Sequence, residues 1–230
     1  VVLCLNGKKI TCGSPAPACV IGVYSETAST LTLTDCKGGG EITGGKNRGV
    51  DVQKGYTFNM HGGTITGSSK GVDIDSSTFN MYGGYISGNS GRGVNIAGGK
   101  FNMSGGTITG NNGGVLAGTD STFTMSGSAS IANNTTKNSS NGGGVDVSGG
   151  EFDMTGGTIS GNTAGCFGGG VYVRSNGTFK MTGGEITGNS ATGQTNSIGG
   201  GVYVDGGTFT MSGGKISNNT ADTDGGGMYV

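Results

Sequence analysis

The sequence lacks Trp, has one His and only two Pro among its 230 residues, and is only 12% charged. With so little Pro and no Gly at every third position, a collagen triple helix is excluded. Thirteen basic and fourteen acidic residues leave a formal net charge of −1, without a basic stripe, so no nucleic-acid partner is expected. Apolar stretches are only a few residues long, so no membrane insertion is expected in this segment.

Glycine is the residue in excess. The chain has 55 Gly, or roughly a quarter of all residues, against about 7% in ordinary proteins. An interior Gly costs a helix about 1 kcal/mol relative to Ala, which argues against a helical protein. Whether the chain is a flexible linker or a folded domain depends on where the Gly residues stand.

Their positions follow an internal repeat. Seven units share the phrase Phe-x-Met, then in all but one a Gly-Gly step, then x-Ile-x. The Phe residues are Phe58, Phe79, Phe101, Phe123, Phe152, Phe179 and Phe209. A Gly-rich approach and a Val-x-Val phrase, such as Val50-Asp51-Val52, complete the unit. Two earlier units use Leu3/Leu5/Ile10 and Leu31/Leu33/Ile42, which makes nine units over essentially the whole chain.

Within each unit the apolar residues alternate over three short runs, which is the period of a β-strand. Such short runs bury a face only when they stack on identical runs. The repeat therefore predicts an all-β fold, a right-handed parallel β-helix (solenoid) of about nine coils with three short strands each. We choose the right-handed form because left-handed coils are usually shorter and built on hexapeptides. At about 4.8 Å per coil, residues 1–230 form a single β-helix domain about 43 Å long.

The repeat also predicts which residues are structural. Gly-Gly pairs are expected at the corners, where a positive φ and a missing side chain let the backbone turn. An Asn column is expected at the next corner, where it suits left-handed backbone geometry and amide ladders. Its predicted members are Asn89, Asn111, Asn133, Asn162, Asn189 and Asn219.

The segment 159–164 reads Ile-Ser-Gly-Asn-Thr-Ala, and 168–173 reads Gly-Gly-Gly-Val-Tyr-Val. These phrases resemble the repeats of polymorphic outer-membrane-protein-like and pectate-lyase-like β-helix surface proteins, with Ile and Gly where that family has Phe and Ala. The resemblance implies a secreted or cell-surface β-helix, often adhesive. It brings no catalytic residues with it.

We expect the functional residues among the outward side chains, because the inward columns are accounted for by the hydrophobic core of the fold. The middle position of the Val-x-Val phrase is predicted to form one outward column. Its members are Tyr24, Asp51, Asp73, Asn95, Leu116, Asp146, Tyr172, Tyr203 and Tyr229.

The first candidate site is an acidic patch in this column with basic neighbours. Asp51, Asp73 and Asp75 are candidate metal ligands, and their basic partners are Arg48, Lys70 and Arg92. Carboxylates that hold Ca²⁺ beside an Arg or Lys base are used by polysaccharide lyases of this fold. The simpler interpretation is a solvated ladder of salt bridges, each worth about 0–1 kcal/mol. No cofactor is expected apart from Ca²⁺ at this patch.

The second candidate site is the Tyr172, Tyr203 and Tyr229 stack, beside the longest turns. Stacked Tyr rings with polar turns suit a glycan or a protein ligand, because Tyr offers an apolar face and a hydroxyl. The alternative is an aromatic ladder that stabilises the sheet. The single His, His61, is interpreted as a surface turn residue.

Four of the five Cys lie close together at the start of the chain: Cys4, Cys12, Cys19 and Cys36. Four Cys allow three disulfide pairings, and an oxidising compartment favours them. Their spacing fits no zinc pattern.

The repeat runs to both ends of the sequence without a polar cap, which predicts a piece of a longer surface protein or copies that stack end to end. The function expected is a non-enzymatic, extracellular β-helix stalk or adhesin region with a glycan or protein ligand. Two alternatives stay open: a polysaccharide-binding or polysaccharide-cleaving β-helix, and a self-stacking filament subunit.

Overall fold

The structure is a computed structural model that describes residues 1–12, 18–24, 29–137, 141–193 and 196–230. Within these ranges the regular elements are β-strands, with no helix. The pairings between the strands are parallel. The strands stack in sheets, so the all-β, parallel, solenoid-type architecture that the repeat predicts is confirmed.

The strand bounds follow the repeat. The first half contains β1 (Val2–Cys4), β2 (Lys9–Thr11), β3 (Cys19–Val23), β4 (Thr30–Thr34), β5 (Glu41–Thr43), β6 (Arg48–Val52), β7 (Thr57–Met60), β8 (Thr64–Thr66), β9 (Lys70–Met81), β10 (Tyr85–Ser87), β11 (Val94–Met103), β12 (Thr107–Thr109), β13 (Val115–Ala117) and β14 (Ser121–Met125). The second half contains β15 (Ser130–Ala132), β16 (Val145–Ser148), β17 (Glu151–Met154), β18 (Thr158–Ser160), β19 (Thr163–Ala164), β20 (Val171–Arg174), β21 (Thr178–Met181), β22 (Glu185–Thr187), β23 (Ser190–Ala191), β24 (Val202–Asp205), β25 (Thr208–Met211), β26 (Lys215–Ser217), β27 (Thr220–Ala221) and β28 (Met228–Tyr229).

These strands form three sheets. The x-Ile-x strands make a nine-stranded sheet in the order β2-β5-β8-β10-β12-β15-β18-β22-β26. The Val-x-Val and Phe-x-Met strands belong together to a sixteen-stranded sheet. A third sheet, β19-β23-β27, consists of two-residue strands that the sequence pattern did not predict.

The core is the set of inward columns. Each Phe pairs with the Phe of the next repeat, and each Ile with the next Ile, as in Phe79 with Phe101 and Ile86 with Ile108. The Phe rings from Phe58 to Phe209 stack with centroids 4.6–5.0 Å apart. The buried cluster runs from Leu5 to Val204, so burial is spread along a thin core.

Two strands are longer than predicted. β9 and β11 each join a Val-x-Val phrase and a Phe-x-Met phrase, which were expected as separate strands. Only four residues separate Ile74 from Phe79, and Ser76 has a φ of 46°. A single left-handed residue bends the chain there without ending the ladder to the neighbouring strand.

The first repeat has a different alignment from the predicted one. Leu3 pairs with Leu33, which pairs with Met60, so Leu3 lies in the Met column. Leu5 lies beyond this strand and is buried. Ile10 pairs with Ile42 in the Ile column.

The Gly-Gly step has a steric reason, which Gly84 illustrates. Its φ is +86°, and a Cβ built there would lie 2.7 Å from the carbonyl oxygen of Gly63 in the preceding repeat. Coils 4.8 Å apart leave no room for a side chain at this corner.

The Asn column contains Asn134, so the predicted member Asn133 is wrong. Asn133 is exposed and has a positive φ of 56°. Most other repeats have a Gly with a similar positive φ at the equivalent position. The left-handed residue is therefore the one before each ladder Asn. The ladder Asn side chains point inward, and each accepts a hydrogen bond from the backbone N–H of the preceding ladder residue, as Asn134 does from Asn111 at 3.1 Å.

Candidate functional site

The outward column of the Val-x-Val strands exists, with one change. Asp51 pairs with Asp73, Asp73 with Asn95, and Tyr172 with Tyr203. Gly22 pairs with Asp51, so Gly22 is the first member of the column and the predicted Tyr24 is wrong. Tyr24 lies two residues after Gly22, just beyond the end of β3, and its ring covers the space above Gly22.

Asp73 is the centre of the first ionic group. Its carboxylate accepts hydrogen bonds from Arg48 Nε, from Lys70 Nζ at 3.0 and 3.1 Å and from Asn95 Nδ2 at 2.6 Å. Asp51 accepts from Arg48 and from Gln53 at 2.9 Å. The stacked carboxylates of Asp51 and Asp73 are tolerated because the positive charges of Arg48 and Lys70 neutralise them.

The electrostatics of this group favour the ion-paired form. Burial by itself raises the pKa of Asp73, but the hydrogen bonds from Arg48, Asn95 and Lys70 outweigh it and hold that pKa below its usual value. The hydrogen bond to Asp73 in turn raises the pKa of Arg48. Arg48 and Lys70 keep about a third of their side-chain surface exposed, so the group has a cationic rim.

The predicted Ca²⁺ ligands do not form one set. Asp75 is exposed and accepts a hydrogen bond from its neighbour Ser76 at 3.2 Å, with no part in the Asp73 group. The oxygens of Asp73 are already occupied by cationic and amide donors. Among the described residues, no group of three His, Cys, Asp or Glu side chains could hold a metal ion.

Arg92 belongs to a second ionic group, so its predicted pairing with the acidic patch is wrong. Its guanidinium donates to Asp146 at 3.0 Å and to the carbonyl oxygens of Gly142 at 2.7 Å and Asn141 at 3.0 Å. Arg174 donates to the same Asp146 carboxylate at 3.0 Å. Burial lowers the pKa of Arg92, and the charge of Asp146 opposes this effect. Asn141 and Gly142, which come shortly before β16, are thus hydrogen-bonded to a side chain two repeats earlier.

The tyrosine column is buried at Tyr172, partly buried at Tyr203 and exposed at Tyr229. Tyr172 and Tyr203 stack with centroids 5.2 Å apart and planes 2° apart, whereas Tyr229 is tilted by 51° to Tyr203. Phe167 packs against both Tyr172 and Tyr203, and the Tyr172 hydroxyl donates to Asp205 at 3.1 Å. Burial and this hydrogen bond raise the pKa of Tyr172. Tyr172 is buried, so it has no open face for a ligand.

The cysteines divide into one bonded pair and free thiols. A disulfide joins Cys4 and Cys36, whose Cα atoms are 6.3 Å apart. Cys12, Cys19 and Cys166 are free, and the Cys12 sulfur lies 3.9 Å from the carbonyl oxygen of Cys19. Burial raises the pKa of the Cys19 thiol, and the charge of Asp51 adds to this shift.

Two further exposed Tyr side chains lie where the sequence pattern did not point. Tyr82 and Tyr85 flank the Gly-Gly step of their repeat, and their side chains are 50% and 55% exposed. His61 stacks on Tyr82 with centroids 4.6 Å apart and planes 21° apart. The signal in the sequence is two Tyr residues three apart across a Gly-Gly corner, where the other repeats carry mainly small or polar residues.

The described part of the chain contains no helix that is long and apolar enough to cross a membrane. Comparison with protein-family models, with curated proteins and with solved structures gave no match. The class of protein is therefore defined by its architecture alone, a parallel β-solenoid.

Proposed function

We propose that this chain is a non-enzymatic stalk or adhesin region of an extracellular cell-surface protein, which binds or presents through outward columns and long turns. The observation that carries the non-enzymatic part of the proposal is that the charged residues of the outward column are already ion-paired with neighbouring Arg and Lys side chains. Asp73 and Asp146 are each buried and held by two cationic side chains. Carboxylates held in this way stabilise strand pairing and are poorly placed to act as a general acid or base.

We further propose nine coils and a right-handed turn. The nine strands of the x-Ile-x sheet support one strand per coil. Parallel strands joined by a crossover are right-handed in about 98% of cases, which supports the hand. Small-angle scattering should give a rod about 43 Å long whose length does not change with concentration. A length that grows with concentration would instead support copies stacked end to end.

The Cys4–Cys36 disulfide supports the extracellular location. Disulfides persist in oxidising compartments and are rare where glutathione keeps thiols reduced. The resemblance to surface β-helix repeats supports the same location.

The enzymatic alternative is tested directly. The purified chain is incubated with a panel of acidic polysaccharides, with and without Ca²⁺, and unsaturated products are measured. We expect none. Unsaturated product that appears with the parent chain and disappears with Asp73→Ala would overturn the non-enzymatic proposal. Asp75→Ala is the matched control, because Asp75 is an exposed carboxylate on the same strand.

A further inference from the structure

Two free thiols, Cys12 and Cys19, lie at the two ends of one corner of the first repeat, which we call the cysteine corner. Cys12 directly follows β2, and Cys19 is the first residue of β3. The two residues are seven positions apart, and the Sγ atom of Cys12 lies 3.9 Å from the carbonyl oxygen of Cys19. The thiol of one residue therefore lies against the backbone of the other.

The second repeat holds both ends of the cysteine corner in place. Cys19 pairs with Arg48 in the parallel ladder of β3 and β6. A Cβ built on Gly44 would lie 3.9 Å from the backbone nitrogen of Cys12, so these two residues are neighbours across the repeats. The corner of the second repeat is tight, because a Cβ built on Gly45 would overlap the carbonyl oxygen of Arg48. Pairing between the repeats transfers this closeness to Cys12 and Cys19.

The other cysteines leave these two thiols as the one remaining pair. Cys4 and Cys36 are already joined by a disulfide. Cys166 follows β18, which is six strands away from β2 in the nine-stranded sheet. At about 4.8 Å between strands, this separation is about 29 Å. The three pairings that the sequence allows for the first four Cys are thus reduced to one.

Both thiols can be reached from solvent, and they differ in their electrostatic surroundings. Cys12 and Cys19 are each partly exposed. Burial raises the pKa of the Cys19 thiol, the charges of Asp51 and Cys12 add to this shift, and the charge of Arg48 opposes it. Because the thiolate is the nucleophile, the first attack on an oxidant falls to Cys12.

We propose that Cys12 and Cys19 are a redox-active dithiol, which closes to a second disulfide when the chain meets a disulfide oxidant such as glutathione disulfide. The Cys12 thiol loses its proton to solvent, attacks one sulfur of the oxidant and releases one glutathione thiolate. The Cys19 thiol then loses its proton and attacks the Cys12 sulfur, which breaks the mixed disulfide and releases the second glutathione. Two protein thiols are oxidised, and one glutathione disulfide is reduced to two molecules of glutathione.

The closed pair connects two different sheets. β2 belongs to the nine-stranded sheet and β3 to the sixteen-stranded sheet, so the bond joins them across the corner of one repeat. The Cys4–Cys36 disulfide instead joins the first repeat to the second. Together the two bonds fasten the first repeat both within itself and to its neighbour.

The experiment maps the state of each thiol by mass spectrometry. The whole chain is incubated with or without excess glutathione disulfide, unfolded, alkylated, and cleaved after Lys9 and Glu26. The resulting peptide of residues 10–26 contains Cys12 and Cys19 and no other Cys. Without oxidant this peptide should carry an alkyl group on both thiols. After oxidation it should carry neither an alkyl group nor glutathione, and reduction before alkylation should restore both alkyl groups.

Single variants serve as controls. In Cys12→Ser and in Cys19→Ser the remaining thiol should take an alkyl group or keep glutathione after oxidation. Cys166→Ser leaves the pair intact and should close as the parent chain does. Alkylation of both thiols after oxidation, glutathione retained on either thiol of the parent chain, or a link from Cys12 or Cys19 to Cys4, Cys36 or Cys166 would each overturn the inference.

A second measurement tests whether closure fastens the first repeat. The oxidant should raise the midpoint of thermal unfolding of the parent chain by about 5–10 °C, since even a short closed loop restricts the unfolded chain. The midpoint of Cys12→Ser should not change with the oxidant. An unchanged midpoint in the parent chain, with the pair closed, would contradict the fastening.

The inference does not depend on the proposed function, and its failure can be told apart. The chain is isolated from its own source and alkylated at once. A closed pair in this material supports both the inference and an oxidising location, where disulfides persist. An open pair that closes with glutathione disulfide in vitro counts against that location and leaves the inference standing. No closure in vitro overturns the inference alone.

Discussion

The Asn ladder shows how a single residue type stabilises a solenoid corner. Asn134 is fully buried, and its Oδ1 accepts both the backbone N–H and the side-chain N–H of Asn111. Its own Nδ2 donates to the carbonyl oxygen of Ile108 at 2.9 Å and to Asn162 at 3.0 Å. Each amide therefore satisfies polar groups of two neighbouring repeats that water cannot reach.

We expect Asn134→Ala to lower the free energy of unfolding by about 2–6 kcal/mol. The substitution leaves the buried N–H of Asn111 and the carbonyl of Ile108 without partners, at about 1–3 kcal/mol for each unsatisfied group. Urea denaturation measures the change. Asn133→Gly is the matched control, because Asn133 is exposed and has a φ of 56°, which Gly adopts without strain. This substitution should change the free energy of unfolding by less than about 0.5 kcal/mol.

The Asp73 group makes part of the stability depend on pH. Because the pKa of folded Asp73 is lowered, its contribution is present above the unfolded pKa of about 3.9 and is lost as the pH falls through the folded value. The parent chain should therefore lose more stability than Asp73→Asn between about pH 5 and pH 2. Urea denaturation at a series of pH values measures both. If the parent chain and Asp73→Asn lost stability in parallel as the pH falls, the prediction would be wrong. For the exposed Asp75→Asn we do expect a curve parallel to that of the parent chain.

At the scale of the element, the Phe-x-Met strands contribute the largest fully buried side chains. Phe152 lies between Phe123 and Phe179, with both ring centroids 4.6 Å away, and is fully buried. Stacking of this kind follows directly from parallel pairing in register, because identical side chains are brought one above the other.

We expect Phe152→Ala to cost about 3–5 kcal/mol, through lost apolar burial and the cavity left in a thin core. Phe209→Ala should cost less, because Phe209 is only partly buried and has one ring neighbour. Thermal and urea unfolding compare the two. Equal losses would mean that the ladder is not the source of the stability.

The elements could be predicted because their signal is local. An apolar residue at every second position, repeated in each unit, specifies both the strand and the side that faces inward. The small third sheet was missed because Thr163–Ala164 and its counterparts are two-residue strands without such alternation. Leu5 was placed in the wrong column because the first repeat has no Phe from which to set the register.

At the scale of the whole molecule, contacts run almost entirely between adjacent repeats, as in other solenoids. The Cys4–Cys36 disulfide adds a covalent link between the first two repeats. It closes a loop over a sequence separation of 32 residues, which restricts the unfolded chain.

We expect Cys36→Ser to lower the free energy of unfolding by about 2–4 kcal/mol under non-reducing conditions. A reducing agent should bring the parent chain to the level of the variant and leave the variant unchanged. Cys166→Ser, which removes a free thiol, is the matched control and should have little effect. No difference between the parent chain and Cys36→Ser would exclude a stabilising disulfide.

Most of the inward side of this protein can be read from its repeat: strands, corners and core columns recur because each coil must bury the same face against its neighbours. The outward side depends on contacts that appear only in the folded chain. Arg92 reaches Asp146, 54 residues further along the chain, and Tyr82 stacks on His61 in the preceding repeat. Such contacts depend on turn length and on the register between coils, and no repeated pattern in the sequence specifies them. The candidate binding surface lies on this outward side, where the repeat is least regular.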